Sequence, residues 1–188
     1  MKAISELLEA TTARALPVVR GVASEALAAP TPCADYDVRA LINHLLQVIV
    51  NFQALAAKKD SDFSTTPDRT AGDWQGLFEE ETAALVKAWA EPGAEEGTTG
   101  SLGLPARTVG HMVLLDMTAH VWDLARATGQ SYEPDPGVVA ELGPAVEEMA
   151  PMAQEYKAFG KPVSVPEDAS PFERLLATTG RDPRWSPR

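Results

Sequence analysis

An all-α fold, a four-helix bundle with one long crossover loop and additional C-terminal helices, is predicted by three observations. Apolar residues recur at helical spacing through four long segments, no pair of segments alternates convincingly as strands do, and glycine and proline gather between the periodic segments. With 188 residues and 45% hydrophobic content, the chain is long enough for one well-buried core and too short for two full domains. A single domain over residues 1–188 is therefore expected.

The first helix is expected from about Ile4 to Leu27, with Ile4, Leu7, Leu8, Val18, Val19 and Val22 on its apolar face and a kink at Pro17. "APTPCADYD" stops it, and Asp37 is placed to cap a second helix that opens on "VRAL" and runs to about Ala57. After the polar connector "KKDSDFSTTPDRTAGD", the segment "WQGLFEEETAALVKAWA" restores the helical period with Trp74, Leu77, Phe78, Leu85 and Trp89. The stretch "EPGAEEGTTGSLGLPARTVG" holds five glycines and two prolines, too many for a regular element. It reads as a crossover loop, with "GSLGLPA" as a short extended crossing. A fourth helix covers about Thr108 to Thr128 and stops at Gly129. The remainder supplies one proline-interrupted helix in "DPGVVAELGPAVEEMAPMAQEYKAFG" and a short one in "ASPFERLLATTGRDP", both expected outside the four-helix core.

Charge and composition exclude several function classes. A net charge of −11 without a local Lys/Arg cluster is the wrong sign for neutralising phosphates, so no nucleic-acid partner is expected. Glu6 and Glu9 interrupt what a secretory signal would keep apolar, and the charge-free run Ala40 to Ala57 is broken by Asn43, His44, Gln47, Asn51 and Gln53. No membrane association is expected, and the lone Cys33, which cannot form an internal disulfide, agrees with a cytoplasmic location.

Chemistry-bearing residues fall on two helical faces. At about 100° per residue, Asp116, His120 and Asp123 share a narrow wedge of the fourth helix, while His111 points the opposite way. On the second helix Leu41, His44, Val48, Asn51 and Leu55 align, so His44 stands within an apolar stripe. A histidine from each helix, plus a carboxylate one turn before one of them, supplies the three N/O ligands of an open metal site. The bland alternatives are a hydrogen-bonded core histidine at 44 and an Asp116–His120 ion pair of about 0.3 kcal/mol. Cys33 precedes the second helix and His44 lies about 10 Å along it, so the cysteine reads as buried and inert. Met112, Met117 and Trp122 read as core, and Glu79 to Glu81 as a solvated face.

Three segments, "TPCADYDVRALINHLL", "DMTAHVWDLARATG" and "DASPFERLLATTGRDP", together resemble the actinobacterial proteins related to the N-terminal metal-binding domain of mycothiol-dependent maleylpyruvate isomerase, within the DinB/YfiT-like superfamily. They occur in the family's order and span the chain nearly end to end. The resemblance implies a DinB-like four-helix bundle and a divalent metal, Zn2+ or Ni2+, held by His44, Asp116 and His120. The isomerase has Glu where Asp116 stands, and it continues into a separate C-terminal domain for which this chain has no room, so the resemblance does not extend to maleylpyruvate isomerisation. It implies instead a metal-dependent thiol S-transferase using mycothiol, whose partners are a small-molecule thiol and an electrophile. Gln47 and Asn51 would orient one of them, and Asp123 would hold His120. The alternative is a non-catalytic metal-binding or small-ligand-sensing bundle. A homodimer is also expected, because Trp74, Trp89, Trp122 and Trp185 offer more aromatic surface than one core readily absorbs.

Overall fold

The helices begin where capping chemistry places them. In a computed structural model describing residues 2–101 and 103–187, α1 spans Ile4–Arg20, α2 Val38–Ala56, α3 Trp74–Ala90, α4 Ala106–Ala127, α5 Pro136–Glu155 and α6 Pro171–Thr178. Asp37 accepts a hydrogen bond from the Ala40 amide at the start of α2, and Asp73 does the same for Gly76 in α3. Each satisfies an amide that has no partner inside its own helix. Ser170 and Glu173 form a reciprocal capping box on α6, which gives that eight-residue helix a defined start.

Two expectations change. The first helix ends at Arg20 rather than near Leu27, because Gly21 takes over its last carbonyls and Ser24–Ala26 turns separately as a 3-10 segment. Within the glycine-rich loop, Thr98–Thr99 (β1) and Leu104–Pro105 (β2) pair antiparallel, a minimal hairpin where only an extended crossing was expected. Pro17 lies inside α1 and Pro144 and Pro151 inside α5.

Helices α1 and α2 each pack against both α3 and α4, so α1 and α2 occupy one diagonal of the bundle and α3 and α4 the other. The loop from α3 to α4 therefore crosses the end of the bundle, as its length implied. Leu7, Leu8, Leu41, Leu45, Leu85 and Leu114 fill the centre with at most 1% exposure. Gly110 lets α4 approach α1 closely, since a Cβ there would lie 2.8 Å from Ile4. Helices α5 and α6 pack on each other, and α5 also rests on α4 and α1, outside the four-helix core. Trp74, Trp89 and Trp122 are buried, and Trp185 is half-buried with its carbonyl accepting from Arg126. Three of the four tryptophans on which the expectation of a homodimer rested are thus buried within the chain. Among the described residues no helix is long and apolar enough to cross a membrane.

Candidate metal centre

His44 and His120 face each other across the α2–α4 interface, with ring centroids 4.9 Å apart in an edge-on arrangement. Asp116, one turn before His120, places Oδ1 3.9 Å from His120 Nε2. One donor atom from each of His44, Asp116 and His120 lies within 4.8 Å of the others. Ligands of a tetrahedral zinc at about 2.1 Å are about 3.4 Å apart, so rotamer adjustments suffice to close the set. The three donors line one wall of a 580 Å³ cavity that also takes in Tyr36, Arg181 and the segment Lys157–Gly160.

The state of His120 follows from what surrounds its other nitrogen. Asp123 is fully buried and receives Arg181 through Nε at 3.0 Å and Nη2 at 2.9 Å. Burial alone would raise the Asp123 carboxyl, but the His120 hydrogen bond and the Arg181 charge outweigh it and hold it below its ordinary value. An ionised Asp123 only accepts, so His120 Nδ1 carries the proton and donates it to Oδ2 at 2.9 Å. That leaves Nε2 as the nitrogen facing Asp116, the orientation a ligating histidine needs.

Burial keeps His44 neutral. Burial pushes its pKa down to about 4 against the opposing pull of Asp116, with His120 and Arg181 adding to the depression. Tyr36 stacks on its ring at 5.0 Å and brings Oη to 3.5 Å from Nδ1. The shift has a consequence for metal-free protein. A histidine whose pKa falls from 6.5 unfolded to about 4 folded leaves stability intact above about 6.5, and stability is lost as pH drops through about 4. We expect this to amount to about 3 kcal/mol. Urea midpoints at pH 7.5 and pH 4 should therefore differ less in His44→Gln than in the wild type, and equal acid sensitivity would contradict it.

A second cluster, Cys33 with His120 and Asp123, also brings donor atoms within 4.8 Å of one another. Arg181 separates the two clusters chemically, because its guanidinium already occupies Asp123 and lies 3.1 Å from His120 Nδ1. A cation on that side would meet a fixed positive charge and a protonated nitrogen. The His44, Asp116 and His120 set takes His120 Nε2 instead, on the side of the ring away from the nitrogen that Arg181 approaches. Cys33 is nevertheless not the remote residue its sequence position implied. It is half-buried on the cavity wall, brought there by a loop that closes through the Tyr36 amide on the Cys33 carbonyl and a Pro30–Asp37 bridge. Burial raises its thiol pKa, which keeps it protonated.

Not every anticipated residue reaches the cavity. Gln47 donates to the Thr65 carbonyl and accepts from the Thr66 hydroxyl, and Asn51 exchanges hydrogen bonds with the Asp62 backbone. Both amides are spent tethering the α2–α3 loop, so neither is free to orient a ligand. His111 lies apart from the cluster, against Glu141 at 3.2 Å. Tyr36 and Arg181 are the neighbours that helical periodicity did not reveal, since both lie on loops. Arg181 sits just beyond α6, held by its Nη1 on the Thr179 hydroxyl. The approach of Gly180 to Gly160, where a Cβ on Gly180 would lie 2.6 Å from the Gly160 Cα, folds this segment over the cavity.

The family model described as mycothiol maleylpyruvate isomerase N-terminal domain matches residues 8–125, which include His44, Asp116, His120 and Asp123 but not Arg181. Two uncharacterized proteins of Mycobacterium tuberculosis, MT0763 and Rv0738, are each 26% identical over 176 residues, covering 89% of this chain and 91% of theirs. No solved structure matches the chain. Its helical bundle and the match across residues 8–125 together mean that the chain belongs to the mycothiol maleylpyruvate isomerase N-terminal domain family.

Proposed function

We propose that this protein is a divalent-metal-dependent thiol S-transferase whose thiol is mycothiol or a close relative. The observation that carries the proposal is the convergence of His44, Asp116 and His120, two imidazoles and a carboxylate, on one wall of an open cavity. Two imidazoles and one carboxylate form a donor set suited to Zn2+ or Ni2+ and leave a position for an exogenous ligand. A divalent cation there supplies Lewis acidity that favours ionisation of a small thiol at neutral pH.

The chain's own groups do the rest. The Arg181–Asp123 clamp holds His120 in one tautomer and one rotamer, and Tyr36 braces His44 by stacking. The balanced reaction joins the thiol sulfur to an electrophilic carbon, the leaving group departs with its electron pair, and the thiol proton passes to solvent through the cavity mouth. Family membership supports mycothiol as the thiol, since the family's description names it.

Cobalt substitution tests the proposal. Adding the cysteinyl-glucosamine portion of mycothiol to the cobalt form should produce an intense sulfur-to-metal charge-transfer band at neutral pH, and His44→Ala should show none. Consumption of the thiol with chlorodinitrobenzene would then establish transfer. A band without turnover across varied electrophiles would make the protein a binding or sensing module, and no band at saturating thiol would end the thiol reading.

A further inference from the structure

Behind the metal-ligand wall lies a second cavity of different character. It has a volume of about 200 Å³ and shares Leu115, Asp116, Ala158 and Phe159 with the larger one. The rest of its lining is apolar save for the Tyr156 hydroxyl: Leu104 of β2, Met112 of α4, Met149, Met152 and Ala153 from the last turns of α5, and Tyr156 beyond them. No lysine, arginine or histidine is among these residues.

From this chemistry we propose that the annex is the subsite for the electrophile, and that it takes an uncharged, apolar group of about one aromatic ring. Volume sets the size, since an apolar cavity of about 150 Å³ suffices for benzene. Electrostatics sets the charge. A carboxylate in the annex would give up part of its water, find no basic side chain among the lining residues, and face the Asp116 carboxylate at the junction. Three flexible thioethers adapt to differing ring substituents and make favourable contacts with a ring edge. Continuity completes the case, because a group seated against Met112 and Met149 presents its reactive carbon across Leu115 and Asp116 to the cavity where the thiol would lie. The same features disfavour a dicarboxylate at this subsite. The assignment of an electrophile rests on the transferase proposal, whereas the recognition of an apolar group does not.

The test uses metal-free full-length protein with carbon-13 methyl-labelled methionine and needs neither thiol nor turnover. Benzyl alcohol should shift the methyl signals of Met112, Met149 and Met152 saturably. Met117, fully buried elsewhere, should stay in place as the internal control. Benzoate should bind at least about tenfold more weakly, and Asp116→Asn should narrow that gap. Met152→Glu, a change at a half-buried rim position, should weaken benzyl alcohol about tenfold or more while divalent-metal content stays at the wild-type level. Equal affinity for benzoate, or saturable binding unaffected by Met152→Glu, would overturn the subsite. Methyl shifts that follow protein concentration instead of ligand would assign the annex to a second copy of the chain and overturn it too. In the wild-type protein, absence of saturable benzyl alcohol binding alongside stoichiometric metal binding refutes the annex alone, and the reverse pattern refutes the metal centre alone.

Discussion

His44→Ala and His120→Ala should each lose stoichiometric divalent-metal binding, whereas His111→Ala should retain it. In a three-ligand set each imidazole is one of only two nitrogen donors, and of the neighbouring donors Asp123 is already paired with Arg181 and Cys33 is held as a thiol. Changes to residues that merely support a ligand cost about ten- to a hundredfold in affinity, so removing a ligand should exceed that. His111 shares the fourth helix but contacts Glu141 on another face, which makes it a matched control for losing one histidine. Metal analysis of protein purified without a histidine tag, followed by zinc titration of each variant, gives the answer. Melting curves of the metal-free variants separate lost ligation from lost folding, since His44 is only partly buried and its truncation should leave the bundle intact. Equal metal content in all three variants would remove the proposed centre.

The parts of this site that could be read from sequence lie on helices, because only there does spacing fix direction. Asp37 capping α2 sets the helical phase, and that phase turns His44 toward α4. The four-residue interval between Asp116 and His120 likewise puts both on one face whatever the rest of the chain does. Direction without axial position was not enough for Asn51. It points the same way as His44, but seven residues displace it by about 10 Å, to where the α2–α3 loop passes. Gln47 is closer along the axis yet rotated by about 60°, and the same loop captures it.

Cys33, Tyr36 and Arg181 were beyond such arithmetic for the opposite reason. Their positions depend on loop paths, and those paths are set by contacts distant in sequence, such as the Gly160 amide on the Thr179 carbonyl. A composition signal for Arg181 did exist in hindsight. A fully buried Asp123 requires a cation as well as a histidine, and the short helix "SPFERLLATTGRDP" carries an arginine just past its end. Nothing in the sequence says which of the chain's arginines it should be.

Arg181→Met should destabilise the metal-free protein by about 3–5 kcal/mol, the cost of leaving one member of a buried ion pair without the other. Asp123 has no exposed side-chain surface, and two of its three charge-assisted partners are the Arg181 Nε and Nη2 groups. Removing them leaves the carboxylate to His120 alone, and it must then either draw a second proton onto the imidazole or become protonated itself. Both outcomes disturb His120, so zinc affinity should also fall by about ten- to a hundredfold. A simultaneous Asp123→Leu change removes the orphaned charge. The double variant should therefore recover most of the lost stability, because an apolar pair of similar volume tolerates this interior at least as well as an ion pair does. Zinc affinity should not recover with it, since Leu cannot accept the Nδ1 proton that orients His120. Stability measured in urea and affinity measured by competition thus part company in the double variant. Additive losses of stability would mean that Asp123 and Arg181 do not act as a pair, and recovery of both properties would mean that the clamp plays no part in holding His120.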